Sequence, residues 1–282
     1  MKKVGKNITW FDCVTSTNDI ALERSCSDDD MSVYAAEFQS AGRGQKGNKW
    51  SSKRGENLTF SILLKPSFLP ASEQYIISMV ATLGITAYLK DKIMSMRDEI
   101  ANKEIKIKWP NDIYIGDKKI CGMLIENSLS ANEIGCSIVG IGLNINQREF
   151  PEELLNPTSL SLETGINNYQ THNELEKLID FIFAYYHKAQ ELKKKGDFTP
   201  LVNEYLKELY RFNQVAKFVE LREISATKPV ATYSNESIKD GEHYDNIITA
   251  RIVGITPQFC LILELSDGTQ KEYAFKEIAY VI

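Results

Sequence analysis

The sequence predicts an α+β protein that ends in a small β barrel. Apolar residues recur at helical spacing over residues 72–96 and again around 175–186, whereas residues 58–64 alternate with a period of two. After these helices only short strand-like runs remain, separated by turn residues. We therefore expect a mixed domain over residues 1–212 and a β domain over residues 213–282.

Short patterns predict the N-terminal elements. Residues 8–11 form an apolar run typical of a strand, and the polar side chains of 15–18 precede a helix expected over 19–24. Residues 33–38 predict a second strand and residues 58–64 a third. The segment between these last two strands is then a loop that bridges them.

Beyond the first long helix the period changes to two. Residues 105–109 predict a central strand that ends at Pro110, and residues 116–117 have the chemistry of a tight hairpin turn. Residues 136–144 are typical of a buried strand whose glycines let another group approach the backbone. After the second long helix, a shorter helix is expected over 201–211.

Four strands and one long loop are predicted for the C-terminal domain. The strands are expected at 215–219, 248–253, 260–264 and 273–275, and the polar loop over 223–247. Strands this short, separated by turn residues, favour a small barrel.

Composition and charge narrow the class of protein. The 282 residues are 43% hydrophobic and 25% charged, as in ordinary globular chains, and the formal charge of −5 argues against bulk attraction to nucleic acid or anionic lipid. Five cysteines without a C-x-x-C pair predict reduced thiols and a cytoplasmic location. No stretch approaches the ~20 apolar residues of a membrane span, so no membrane partner is expected.

The segment 39–50 is the most informative part of the sequence. It contains three glycines and three cations and ends in Trp50. Glycines let successive backbone N–H groups point into one concavity while cations neutralise charge, so the segment predicts a phosphate-binding loop. Residues 42–47 satisfy G-x-G-x-x-G, but no helix is expected after them. The P-loop pattern fails as well, because Asn48 separates Gly47 from the next lysine.

A second polar block, residues 108–112, places Asn111 and Asp112 just past a proline, where a strand stops. A carboxylate there suits Mg²⁺ or an arginine, and Lys119 could return to the same pocket across the hairpin. Each residue also has an ordinary structural explanation: a turn or cap for Asn111 and Asp112, a solvated strand end for Lys119, and a helix cap for Ser16. The three histidines lack ligand spacing, so no metal ligand is predicted.

Five sequence blocks occur in an order that resembles biotin protein ligases. The blocks are residues 16–18, 39–44, 108–112, 119–122 and 140–144. The resemblance implies a mixed β-sheet flanked by helices, similar to class II aminoacyl-tRNA synthetases, with a C-terminal SH3-like β barrel. It also implies a two-step enzyme, which makes biotinyl-5′-AMP from biotin and ATP with Mg²⁺. The biotin then passes to a lysine of a biotin carboxyl carrier protein.

The resemblance implies roles for individual residues. The implied biotin-binding residues are Ser16, Thr17, Asn18, Gln39, Gly42, Arg43, Gly44, Gln45, Lys119, Gly122 and Gly142. The implied ATP-binding residues are Arg43, Lys49, Trp50, Asn111 and Asn144. The implied catalytic residues are Arg43, Lys119 and Asp112. Asp112 has three alternative roles: it orients Arg43, assists Mg²⁺, or serves near the incoming amine.

One residue departs from the family pattern. Gln45 stands where many family members have a second arginine, which predicts faster escape of the adenylate, with Lys46 as a candidate substitute. Only seven residues precede the first strand. We therefore expect the form without an N-terminal DNA-binding domain, with no DNA binding, as a monomer or a homodimer.

Two other functions compete with this interpretation. A lipoate ligase or octanoyl transferase has a similar fold, but its apolar acyl pocket has no ureido group to satisfy, so Ser16, Thr17 and Gln39 favour biotin. A nucleic-acid-binding module would use Arg43 and Trp50 as a basic-aromatic patch, but it would need a basic face beyond one loop.

Overall fold

The computed structural model describes residues 7–45, 48–94, 103–130, 132–221, 237–238 and 246–282. The chain divides into two compact units, residues 1–202 and 203–282. The domain boundary expected after residue 212 stays a prediction. The five cysteines are all free, in agreement with the expectation of reduced thiols.

A seven-stranded mixed sheet forms the centre of the first unit. Its strands are β1 Ile8–Phe11, β2 Ser32–Ala36, β3 Leu58–Leu64, β4 Ile105–Lys108, β5 Asp112–Ile115, β6 Lys118–Ser130 and β7 Glu133–Leu143. They lie in the order β1-β2-β3-β7-β6-β5-β4. β1 and β2 are parallel and are joined through helix α1 (Thr17–Glu23), whereas the other neighbours are antiparallel. The predicted mixed sheet is confirmed.

Helices pack on this sheet, as expected: α1 contacts β2, β3 and β7, and the helix at Tyr75–Met94 contacts β4 and β5. In chain order after α1 come a 3₁₀ turn at Ala71–Glu73, α2 Tyr75–Met94, α3 Leu160–Thr164, α4 Thr171–Lys194 and α5 Thr199–Glu208. In the described parts of the chain, no helix combines the length and the apolarity needed to cross a membrane.

Helix α2 is more deeply buried than its sequence predicts. We expected one buried stripe, but residues 76–86 are buried on every side, because strands β4 and β5 and helix α4 all cover the helix. Helices α2 and α4 touch at Gly84, where an added Cβ would lie 2.6 Å from the Cα of Ile182 on α4. Helix α5 ends at Glu208, before the predicted Arg211, whose φ of 59° lies outside the helical region.

The hairpin between β5 and β6 has the predicted two-residue turn. Gly116 has a φ of +57°, a conformation that glycine adopts without strain. The block 108–112 connects β4 to β5, and β4 is the edge strand of the sheet, so the expectation of a central strand is wrong. The apolar run 105–109 is nevertheless buried at Ile105, Ile107 and Trp109, which explains why it resembles a central strand.

The second unit is built on a six-stranded sheet. Its strands are β8 Val215–Glu220, β9 Ser237–Ile238, β10 Ile247–Ile255, β11 Leu261–Leu265, β12 Gln270–Tyr273 and β13 Ile278–Val281. They lie in the order β12-β11-β10-β8-β13-β9. Strand β13 was not predicted, and β9 lies inside the predicted loop 223–247, most of which is outside the described residues. Closure into an SH3-like barrel stays a prediction.

Candidate active site

Three neighbouring strands carry small residues on one face of the first sheet. In β3, β7 and β6, Thr59, Gly142 and Gly122 lie side by side, and Ser61 pairs with Gly140 in the next row on the same face. Because side chains alternate between faces along a strand, these residues face the same side. We call this surface the small-residue face, since a row of small side chains leaves space for another group.

The start of helix α1 lies against one end of the small-residue face. Ser16, Thr17 and Asn18 are all buried. The hydroxyl oxygen of Ser61 lies 2.7 Å from Thr17 Oγ1 and 2.6 Å from Asn18 Oδ1, and its single proton can be donated to one of these acceptors at a time. Thr17 in turn donates to Gln39 Oε1 from its backbone nitrogen, at 2.7 Å, and from its hydroxyl, at 3.1 Å. The structure therefore brings the predicted blocks 16–18 and 39–44 together.

Ser16 occupies the N-cap position of α1, but its side chain makes no capping hydrogen bond. The helix-cap explanation therefore describes the position of Ser16 but not the use of its hydroxyl. Asn18 packs so closely on β7 that a Cβ on Gly140 would lie 2.2 Å from its Oδ1 atom. Gly140 therefore has no room for a side chain, which agrees with the prediction that another group approaches this strand closely.

Two carboxylates hold the guanidinium of Arg43. Its Nη2 atom lies 2.8 Å from Asp19 Oδ1 and 3.2 Å from Glu126 Oε2. The same Glu126 oxygen accepts a hydrogen bond from Asn18 Nδ2 at 2.7 Å. Because neither of these carboxylates is Asp112, the first alternative for Asp112, that it orients Arg43, does not match the structure.

Asp112 pairs instead with Lys119. The distance between Lys119 Nζ and Asp112 Oδ2 is 2.5 Å, and the carboxylate is the more buried of the two groups. Beside this pair, the carbonyl oxygen of Met123 accepts hydrogen bonds from Asn111 Nδ2 at 3.0 Å and from Gln45 Nε2 at 3.4 Å. The block 108–112, the start of β6 and the glycine loop therefore meet at one place.

The glycine loop folds back on itself between β2 and β3, and the described residues 48–57 that follow its glycines contain no helix, as predicted. The backbone N–H of Trp50 donates to the carbonyl of Gly42 at 3.0 Å, and Arg43 pairs with Lys49 in an antiparallel bridge. Gly44 donates in the same way to the carbonyl of Asn48 at 2.7 Å. The cation proposed as a substitute for arginine, Lys46, lies outside the described residues.

The side chain of Trp50 covers the small-residue face. A Cβ on Gly142 would lie 2.1 Å from Trp50 Cε2, and one on Gly122 would lie 3.3 Å from Trp50 Cζ3. The indole Nε1 atom is buried and has no hydrogen-bond partner among the residues that the structure describes. Lys49, the residue before it, is exposed. Trp50 therefore leaves one buried donor available at the site.

Asn144 closes the C-terminal end of strand β7. Its Nδ2 atom donates to the carbonyl of Thr158 at 2.9 Å, and its backbone N–H donates to the carbonyl of Ile120 at 3.0 Å. The predicted nucleotide residues Trp50 and Asn144 thus lie at the same end of β7, close to the start of β6.

Comparison with known proteins finds a family that this part of the chain resembles. The model of the biotin/lipoate A/B protein ligase family matches residues 10–144, the part of the chain that contains the small-residue face. Residues 10–144 are therefore similar to this family. Hereafter we call residues 10–144 the ligase-family domain.

Several relatives match a larger part of the chain. "Bifunctional ligase/repressor BirA" from Bacillus subtilis (strain 168) is 26% identical over 277 residues, which cover 96% of this chain and 73% of the relative. The protein of the same name from Escherichia coli (strain K12) is 29% identical over 164 residues, which cover 58% of this chain and 48% of the relative. The match thus spans about half the length of that relative.

A solved structure shares the fold along nearly the whole chain. It is described as "Biotin protein ligase from Aquifex aeolicus in complex with biotin and ATP". Its sequence is 25% identical, its TM-score is 0.69, and the match covers 97% of this chain and 98% of that one.

The ligase-family domain contains three residues that sequence reasoning missed. They are Ser61, which binds Thr17 and Asn18, and the carboxylates Asp19 and Glu126, which hold Arg43. Alternation along β6 could have indicated Glu126, because it lies four residues after Gly122 and therefore on the same face. Without the strand register, no sequence signal distinguishes Ser61 from other strand serines.

The two described histidines, His172 and His187, contact residues outside this site. His172 stacks on Trp10 with ring centroids 3.8 Å apart and lies 2.7 Å from a carboxylate oxygen of Glu37. His243 lies outside the described residues. Within the described ranges, no group of three or more His, Cys, Asp or Glu residues could hold a metal ion.

Proposed function

We propose that the protein is an ATP-dependent biotin protein ligase. It forms biotinyl-5′-AMP from biotin and ATP, and then transfers biotin to a lysine of a biotin carboxyl carrier protein. One observation carries the proposal: the small-residue face has buried hydroxyl and amide groups at one end and the Lys119–Asp112 pair at the other. The relatives named as biotin ligases support it.

The polar end of the small-residue face suits the ureido head of biotin. A buried ureido group needs both donors and acceptors, and Ser16, Thr17 and Gln39 supply both kinds. Ser61 fixes the hydroxyl of Thr17 and the amide of Asn18, so these groups are oriented before a ligand arrives. Lipoate has no ureido group and would leave such groups unpaired, which disfavours it.

Lys119 and Arg43 supply the charges that adenylation needs. A biotin carboxylate oxygen attacks the α-phosphorus of ATP, a new phosphorus–oxygen bond forms, and the bond to pyrophosphate breaks. Lys119 holds the carboxylate against the phosphate, and Arg43 grips the α-phosphate, so that both cations stabilise the negative charge of the transition state. Asp112 acts here by holding the ammonium of Lys119.

In this proposal the nucleotide binds at the end of β7 and stacks on the face of the Trp50 ring that is turned away from Gly142. Lys49, Trp50, Asn111 and Asn144 are the proposed contacts. The unpaired indole Nε1 of Trp50 offers a donor, since a buried N–H group without a partner gains free energy when an acceptor arrives. Gly42 and Gly44 bring the loop backbone close to the phosphates.

Mg²⁺ enters this proposal with ATP. Magnesium in nucleotide sites is bound by one or two carboxylates and by the phosphates. Asp112 is a carboxylate beside the proposed phosphate site, so it would supply one oxygen ligand and the phosphates of ATP would supply others. When bound, the ion would neutralise phosphate charge.

The second step is an acyl transfer. The neutral amine of the carrier lysine attacks the acyl carbon of the adenylate and forms the carbon–nitrogen bond. The bond from the acyl carbon to the phosphate oxygen breaks, AMP leaves with its electrons, and the nitrogen gives up one proton to water. A biotin carboxyl carrier domain is the proposed acceptor, since two relatives are named "Biotin--[acetyl-CoA-carboxylase] ligase".

Isothermal titration with biotin and with lipoate tests the proposal. Each ligand is titrated with and without a non-hydrolysable ATP analogue. We expect heat from biotin only, and we expect Lys119→Ala to weaken binding and to lower the rate of adenylate formation by roughly 10²–10³. Lys194→Ala is the matched control, because Lys194 also forms an ion pair, with Glu191 on the surface of α4. Heat from lipoate and none from biotin would reject the biotin assignment.

A further inference from the structure

A short segment ties two proposed site residues together from outside the ligase-family domain. We call residues 156–160 the strap. The backbone N–H of Lys119 donates to Asn156 O at 2.8 Å, and the N–H of Thr158 donates to Lys119 O at 2.9 Å. The carbonyl of Thr158 then accepts from Asn144 Nδ2 at 2.9 Å. The strap therefore positions the backbone of Lys119 and the side chain of Asn144 at once.

A buried carboxylate holds the strap. Glu163 lies on α3, directly after the strap, and its side chain is only 5% exposed. Its Oε1 atom accepts a hydrogen bond from the Thr158 hydroxyl at 2.5 Å, and its Oε2 atom lies 2.6 Å from Lys103 Nζ. Lys118, the residue before Lys119, lies 3.6 Å from Oε1. Glu163 therefore connects the strap to the starts of β4 and β6.

The surroundings of Glu163 favour its ionised form. Burial by itself raises the pKa of the carboxyl, but hydrogen bonds from Lys103 and Thr158 and the charge of Lys118 lower it below its usual value. The group is therefore an anion at neutral pH, and as an anion it accepts from all of these donors at the same time.

We propose that Glu163 is a positioning residue for adenylation, which acts through Thr158 on Lys119 and Asn144. The inference rests on the proposed function, since it concerns the same site. Lys119 would hold the biotin carboxylate and Asn144 would contact the nucleotide, so a shift of the strap would move both relative to the α-phosphate. Glu163 touches neither substrate, and its effect is on geometry.

The chain contains a matched control for this role. Glu174 on α4 is also buried, with a side chain 6% exposed, and it pairs with Lys92 at 2.5 Å. It accepts a hydrogen bond from Tyr88 at 2.6 Å, and Lys177 lies 3.3 Å away. This network ties α2 to α4, and among the described residues it includes no proposed site residue. Glu163→Gln and Glu174→Gln therefore remove the same chemistry from two places.

Steady-state kinetics of adenylate formation, with thermal unfolding of each variant, tests the inference. We expect both variants to lose stability. Only Glu163→Gln should raise KM for ATP and lower kcat, by about tenfold each. KM for biotin should change less than about threefold, because the proposed ureido contacts lie at the other end of the small-residue face. Glu174→Gln should keep the KM and kcat of the unmodified protein.

Two substitutions at Thr158 test whether Glu163 acts through the Thr158 hydroxyl. Thr158→Val removes the hydroxyl that Glu163 accepts from and should reproduce the kinetic change, whereas Thr158→Ser keeps the hydroxyl and should restore normal values. Equal kinetics for Glu163→Gln and Glu174→Gln, or normal kinetics for Thr158→Val, would overturn the inference while leaving the proposed function intact. An unmodified protein that forms no adenylate from biotin and ATP would reject both.

Discussion

Replacing Gly142 by alanine should displace Trp50 from the small-residue face. The added Cβ would lie 2.1 Å from Cε2 and 2.4 Å from Cζ2 of the indole. Ordinary carbon–carbon contacts begin near ~3.5 Å, so the ring must move by about 1.4 Å. Overpacking of this kind costs about 1–3 kcal/mol, which corresponds to a fall in Tm of about 2–4 °C for each kcal/mol in a chain of this size.

The functional effect follows from the proposed role of Trp50. Aromatic stacking on a base contributes about 1–3 kcal/mol, and 1.4 kcal/mol corresponds to a factor of about ten. We therefore expect Gly142→Ala to raise KM for ATP at least about fivefold. The position of the ring can be followed by fluorescence, with Trp50→Phe as the spectral reference, because the displaced indole becomes exposed to water and its emission shifts to the red.

Gly122→Ala provides the control for this prediction. There the added Cβ meets the flexible end of Lys119 at 3.2 Å and only the edge of the indole, at 3.3 Å, so a small adjustment is sufficient. We expect a smaller loss of Tm and a smaller spectral shift than for Gly142→Ala. If the two variants had the same emission spectrum as the unmodified protein, the indole would not lie on Gly142 and the reasoning would be refuted.

Three further predictions concern other contacts. Ser61→Ala should weaken biotin binding in calorimetry by roughly five- to tenfold, because Thr17 and Asn18 lose the donor that orients them; unchanged affinity would reject that role. Gln45→Arg should slow release of the adenylate in a stopped-flow chase, and an unchanged rate would contradict the prediction. The stability difference between the unmodified protein and Glu174→Gln should shrink below about pH 4.5 in urea unfolding. Burial by itself raises the pKa of the Glu174 carboxyl, but hydrogen bonds from Lys92 and Tyr88 lower it below its usual value. The contribution of Glu174 to the free energy of unfolding is therefore present above the unfolded pKa and is lost as the pH falls. A stability difference that does not change with pH would exclude this.

Local patterns were sufficient for most of the first unit. Alternation over 58–64 and 136–144 and helical spacing around 175–186 reflect which side chains meet the core, and this is a local property of the sequence. The errors occurred where burial was decided by distant elements. Strand β4 has the composition of a central strand because helix α2 covers it, although it lies at the edge of the sheet.

The second unit was harder to predict. Strand β13 is four residues long and follows directly on a turn, and β9 has two residues. Segments this short carry too little periodicity for a prediction. β13 is defined by its partners, since it pairs with β8 on one side and with β9 on the other.

The glycines of the site show what sequence reasoning could and could not provide. A glycine in a buried strand indicated that some group approaches the backbone, but it did not identify the group, because strand register and loop position depend on contacts distant in sequence. The structure supplies both: Asn18 lies on Gly140 and Trp50 on Gly142.

The pairing of the charged residues also depended on strand register, which the sequence does not reveal. A carboxylate near Arg43 was expected, and Asp112 was the candidate because it belongs to a recognisable block. The register of β6 instead puts Glu126 on the face that carries Gly122, within reach of both Asn18 and Arg43, and leaves Asp112 to Lys119. Arg43 therefore pairs with Asp19 and Glu126, and Lys119 pairs with Asp112. In the proposed site, these separate counter-ions would let Arg43 and Lys119 keep separate positions around one phosphate.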